Sequence, residues 1–120
     1  MRIAEIIAIL HAEVLSGAEL VDSVEVHSAC GSDMMSDVLA YVKDQGLLLT
    51  GLCNPQVVRT AEMMDISVIC FVRGKKPDDT VVALAREKNI ILLSTKETMY
   101  LACGQLYAAG LEAGKAHELH

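Results

Sequence analysis

The sequence predicts an α/β fold, a mostly parallel β-sheet flanked by helices on both faces. Three observations carry this. Leu47 to Leu49 and Val68 to Val72 are short, continuous apolar runs, as strands covered on both sides require. Between them, Val57, Val58, Ala61 and Met64 recur at helical spacing, with Asn54 suited to the N-cap and Pro55 to the first helical position. Strand-like segments near 24, 47, 67 and 90 are each followed by a helical one, the βα repeat that builds parallel sheets.

A chain of 120 residues makes one domain. Its expected extent is 1–110, with 111–120 as a flexible tail that loses the apolar pattern. Apolar residues are 52% of the chain and aromatics only 3%, so the core is aliphatic. A net charge of −6 argues against nucleic acid, whose phosphates need basic partners. At the start, Ile3, Ile6, Ile7 and Leu10 fall at i, i+3, i+4 and i+7, and Glu5 interrupts the apolar run. That is an amphipathic helix over 2–10 and not a signal peptide. No apolar run approaches the roughly 18 residues that span a bilayer, so no membrane role and a cytoplasmic location are expected.

In chain order, Glu13 to Leu15 reads as a brief edge strand before the turn at Gly17. Val24, Glu25, Val26 and His27 alternate apolar and polar within 21–28, the pattern of a half-exposed strand with His27 outward. Cys30 to Asp33 closes it, and Ser32 caps a helix with Met34, Met35, Val38, Leu39 and Val42 as its buried stripe. Asp33 and Asp37, one turn apart, read as an exposed acidic pair. Gln45-Gly46 ends the helix, and the central strand–helix–strand unit follows.

Beyond Val72, the loop Arg73 to Asp79 holds three of the ten basic residues. A helix over 80–88 places Val81, Val82, Leu84 and Ala85 inward, and Ile90 to Leu93 is a buried strand. Ser94 with Glu97 matches a capping box. It opens a last helix with Met99, Cys103, Leu106 and Tyr107 on one face.

Four cysteines stand at 30, 53, 70 and 103, without a CxxC pair or a histidine at metal-ligand spacing. No metal site or cofactor is expected. Cys70 and Cys103 read as small buried hydrophobes. Cys30 and Cys53 fall in loops before helices, where a thiolate is stabilised, and a redox role for that pair stays open.

In a parallel sheet the βα loops gather at the carboxyl ends of the strands, where ligands bind. The residues placed there for an anion are Thr50, Gly51, Asn54, Arg73, Gly74 and Lys75: two cations, a hydroxyl and a helix N-terminus with free amides. The same residues read equally as turns, caps and solvated side chains. Gly74-Lys75-Lys76 is no NTPase loop, since position 69 is Ile and Lys75 is followed by Lys. No G-x-G-x-x-G follows a strand, and no Ser-His-Asp set occurs.

The stretches Ala29-Cys30-Gly31-Ser32-Asp33-Met34, Leu47-Leu48-Leu49-Thr50-Gly51-Leu52-Cys53-Asn54-Pro55 and Val68-Ile69-Cys70-Phe71-Val72-Arg73-Gly74 resemble a stand-alone DRTGG domain. The likeness covers about residues 1–110. It implies a compact, often dimeric α/β domain similar to the N-terminal domain of HPr kinase/phosphorylase. Such domains occur within phosphotransacetylases and beside CBS domains in regulatory pyrophosphatases, with no activity of their own established. The family's Gly-Asp-Arg falls at Gly51-Leu52-Cys53 and its Thr-Gly-Gly at Val72-Arg73-Gly74, so only Gly51 and Gly74 match. The kinase half is absent.

Two functions follow as expectations. One is a non-catalytic regulatory or interaction module, homodimeric, beside a larger metabolic enzyme; the helices starting at Ser32 and Ser94 are its candidate contacts. The other is a sensor of an anion such as an adenine nucleotide at the strand ends.

Overall fold

The computed structural model describes residues 1–41 and 46–113. Six strands form one sheet in the order β1-β5-β4-β3-β2-β6. They are β1 (Glu13–Ser16), β2 (Ser28–Gly31), β3 (Leu47–Thr50), β4 (Val68–Phe71), β5 (Ile91–Ser94) and β6 (Glu112–Ala113). The helices are α1 (Ile3–Leu10), α2 (Met35–Tyr41), α3 (Pro55–Met63), α4 (Asp79–Glu87) and α5 (Met99–Ala108). The sheet is mixed: β1 runs antiparallel to β5, and every other pairing is parallel. Leu47 opposes Val68, and Val68 opposes Ile91, so the central unit read from the sequence is parallel.

Connectivity decides which helix goes where. From β2 to β5 the chain steps in one direction, and right-handed crossovers then place α2, α3 and α4 together. The step from β5 to β6 runs back across the sheet and sends α5 the other way. Two apolar clusters record this. Leu47, Leu49, Val68, Cys70, Ile91 and Leu93 join Ile3, Ile6 and Leu10 of α1 with Ala102 and Leu106 of α5. Leu48, Ile69, Phe71 and Leu92 join Val38 of α2, Val57, Val58 and Ala61 of α3, and Val81 and Ala85 of α4.

Several sequence expectations move. The strand expected over 21–28 lies at Ser28–Gly31, and Glu25 keeps only an isolated bridge to Arg2. Its small residues hide it from a propensity reading, because α5 packs directly on it. A Cβ at Gly31 would come 2.7 Å from Cys103 Sγ and 2.8 Å from Met99 Sδ. Cys30 is thus a strand residue and not a loop residue. Ser32 does not cap α2: its hydroxyl accepts from the Met34 amide at 3.0 Å in a local turn, and the helix begins at Met35. Met35 and Val38 are buried, while Met34 and Leu39 are exposed; Val42 and Gln45 lie outside the described residues.

The capping box at Ser94 fails for a similar reason. Ser94 still belongs to β5 and donates to the Lys75 carbonyl at 2.8 Å. Thr98 caps α5 instead, accepting from the Leu101 amide. Asn54 takes the N-cap position of α3 with Pro55 behind it, as expected, although its side chain makes no capping bond. At the far end, Leu111 is buried and Glu112–Ala113 pair with β2, so the tail expected from 111 does not hold for those three residues. Residues 114–120 lie outside the described part.

Thr60 on α3 is fully buried, and its hydroxyl has no hydrogen-bond partner among the described residues. An isosteric methyl relieves that desolvation, so Thr60→Val is expected to stabilise the fold by about 1 kcal/mol. A shift of the urea midpoint to lower concentration would contradict this.

Candidate functional site

At the carboxyl ends of β2, β3, β4 and β5, three loops converge on Asp33. Its Oδ1 accepts from the Thr50 hydroxyl at 3.2 Å and from the Gly51 amide at 2.6 Å. Thr50 is fully buried, and its Oγ1 accepts in turn from the Leu52 amide at 3.1 Å. On the other side of the carboxylate, Arg73 Nη2 stands 4.0 Å from Oδ2, with both side chains about half exposed. The guanidinium lies over Gly51, where a Cβ would meet Nη2 at 2.3 Å. Gly51 therefore permits a close approach that any side chain would push aside.

Topology opens one natural crevice at this edge. The loop after β4 leads to α4, packed in one apolar cluster, and the loop after β5 leads to α5, packed in the other, and ligands enter α/β sheets where successive connections diverge. Here the chain itself fills that place. Arg73, at φ 59, donates its amide to the Glu97 carbonyl at 2.8 Å, and Gly74, at φ 69, donates to the Thr95 carbonyl at 2.8 Å. Ser94 closes the lacing through the Lys75 carbonyl. Buried Thr95 donates its hydroxyl to the Leu10 carbonyl at 2.7 Å, which ties the end of α1 to the same seam.

The residues expected at the rim are thus partly gathered. Thr50, Gly51 and Arg73 meet around Asp33, and Gly74 and Lys75 continue the laced loop. Asn54 stands exposed at the start of α3 and its side chain caps nothing. Lys76 is drawn away into a 2.8 Å pair with Glu13 of β1. The sequence reading missed Asp33, taken as half of an acidic helical pair; it lies before α2 and holds the rim together. A hint was present in its place just after a strand, where an Asp most often serves a loop amide.

Both thiols before helices fare differently from expectation. Burial pushes Cys30 up to about 11, with Cys103 adding to the rise. Burial also raises Cys53; Lys75 and Arg73 pull it down and Asp33 pushes it up, but burial prevails. Cys53 donates weakly to the Gly51 carbonyl, with sulfur and oxygen 3.7 Å apart. Neither is a stabilised thiolate. Cys70, in the core, is pushed up to about 12.

No group of three or more His, Cys, Asp or Glu able to hold a metal occurs among the described residues. No helix among them is long and apolar enough to cross a membrane. A shallow depression of about 280 Å³ lies at the opposite sheet edge, lined by Glu62, Asp65, Ser67, Lys88 and Asn89 among others, with Lys88 bridging to Glu62 at 3.1 Å. None of the expected rim residues lines it.

Comparison with known proteins adds three findings. The family described as DRTGG domain matches residues 5–108. No curated protein sequence matches the chain. Among solved structures, the chain is similar to the CBS and DRTGG domains of the regulatory region of Clostridium perfringens pyrophosphatase, complexed with its activator diadenosine tetraphosphate. That likeness has a TM-score of 0.71 at 15% identity, covering 98% of this chain and 51% of the other. The chain thus spans about half the length of that neighbour.

Two outcomes are expected. Asp33→Ala removes the acceptor of Thr50 and Gly51 and should cost about 1–3 kcal/mol by urea unfolding, with Asp33→Asn milder. Since burial raises every cysteine, alkylation in the native state should be slow at pH 7. Stability should be full below pH 9 and fall as pH rises from 9 toward 12, because unfolded thiols ionise first, buried Cys30 later and core Cys70 last. Fast labelling of Cys30 at pH 7 would contradict both the burial and its sign.

Proposed function

Because the chain belongs to the DRTGG domain family, we propose that it is a non-catalytic regulatory or protein-interaction module, a homodimer acting on or beside a cytoplasmic metabolic enzyme. On this reading its single domain, a sheet sandwiched between two helical layers, works by its surface and not by a pocket. The observation that carries it is the filled crevice between β4 and β5. Where an α/β enzyme of this topology leaves room for substrate, Arg73, Gly74, Ser94 and Thr95 are spent on the protein's own backbone. The Asp33 carboxylate likewise takes the Gly51 amide that a ligand anion would use. Support also comes from the neighbour, in which the domain belongs to the regulatory region of a pyrophosphatase.

One observation favours a second reading, a sensor of an anionic ligand such as an adenine nucleotide. Lys75 has no ion-pair partner among the described residues, and Arg73 is half exposed beside it in the loop. The neighbour's activator is a dinucleotide. For this chain a phosphate would have to displace Asp33 from Gly51 and Arg73.

Titration calorimetry with ATP, AMP and diadenosine tetraphosphate separates the two. The module reading expects no heat and no change in the melting midpoint, with a metabolic enzyme retained on the immobilised chain. Binding that Arg73→Ala and Lys75→Ala both abolish would replace it with the sensor.

A further inference from the structure

The two helical layers differ in charge. The ten residues of α5 include none, and the eight of α1 include only Glu5. On the other face α3 and α4 carry five between them: Arg59, Glu62, Asp79, Arg86 and Glu87. A helix apolar all round is normally a covered one. Only part of α5 is covered, since Ala102 and Leu106 face the sheet while Tyr100 is 85%, Tyr107 71% and Leu101 49% exposed. At 3.6 residues per turn, Tyr107, Tyr100, Gly104, Ala108 and Leu101 form one outward stripe. Gly104 lies at its centre, opposite the buried pair, and a Cβ there would meet nothing within 4 Å. Beside it, α1 exposes Ala4 and Ala8.

We infer that this α1/α5 face is where two copies of the chain join, with the two α5 helices crossing at Gly104 and each Tyr100 and Tyr107 lying along the partner helix. This deepens the homodimer reading above and rests on it. A second copy is the occupant that the charges favour. Each chain carries −6, so most ways of joining two copies bring acid to acid. A face centred on the uncharged α5, to which α1 adds only Glu5, brings less acid together, and it complements itself about a two-fold axis. A glycine at the crossing lets the backbones approach, and tyrosines on either side are the side chains that dominate interface energetics. The area suffices. A standard interface takes about 800 Å² per partner. Two tyrosines at roughly 200 Å² each supply about half of it before Leu101 and α1 contribute. The helix α2, also considered from the sequence, is the weaker surface, because Asp37 is exposed on it.

Light scattering on the full chain tests this, with Gly104→Glu and Gly104→Lys as variants. Both side chains enter open space, so the monomer should keep its melting midpoint. The wild type should be a dimer, and each variant alone a monomer, its association weakened about 100-fold or more by like charges facing each other. A one-to-one mixture of the two should dimerise again. A wild-type dimer that Gly104→Glu leaves intact overturns this surface and spares the dimer reading. A wild type that stays monomeric at its highest soluble concentration overturns both. Should the Gly104 variants fail to fold, Tyr107→Glu, on a 71% exposed side chain, decides by the same two outcomes.

Discussion

Everything in this molecule hangs on the hydrogen-bonded pairing of β3, β4 and β5, three four-residue strands with every residue buried. Unpaired peptide groups there would be out of reach of water, so the ladder must be complete along its whole length. The strands also have no polar face. Two apolar clusters bury them, one shared with α1 and α5 and the other with α2, α3 and α4.

That constraint explains what the sequence disclosed and what it hid. Buried parallel strands must be continuous apolar runs, so Leu47 to Leu49, Val68 to Phe71 and Ile91 to Leu93 were legible directly. Asn54-Pro55 and the spacing of Val57, Val58 and Ala61 were equally plain, because they depend on local backbone geometry. β2 was not. Ser-Ala-Cys-Gly has little strand propensity, and it pairs because α5 needs the flat surface that Gly31 provides. Ser94 carried a convincing helix-start signal that tertiary context overrode by recruiting its hydroxyl for the Lys75 carbonyl. In each miss, a contact between residues far apart in sequence decided the local conformation.

The rim was half legible. Its loops followed from the strands, and Thr50, Gly51 and Arg73 do converge. What no spacing could reveal was that Asp33, eighteen residues before Gly51, would close over them, or that left-handed Arg73 and Gly74 would stitch one loop to the next. The same edge can thus look like a ligand site in one dimension and a seam in three. The contrast between an uncharged α5 and a charged α3/α4 layer was present in the sequence all along. It acquires meaning only once the topology assigns these helices to different sides.

The antiparallel pairing of β1 with β5 has a consequence for how the chain is made. Val14 opposes Leu93, so the first strand finds its partner only after about 79 further residues have been synthesised. At cellular elongation rates of 5–20 residues per second, that is a wait of roughly 4 to 16 s. Through that interval the isoleucines of α1 can reach β3 and β4 but not Ile91 and Leu93 of β5, which complete the same cluster. The β1–β5 edge of the sheet is thus closed late, by a contact between segments far apart in sequence.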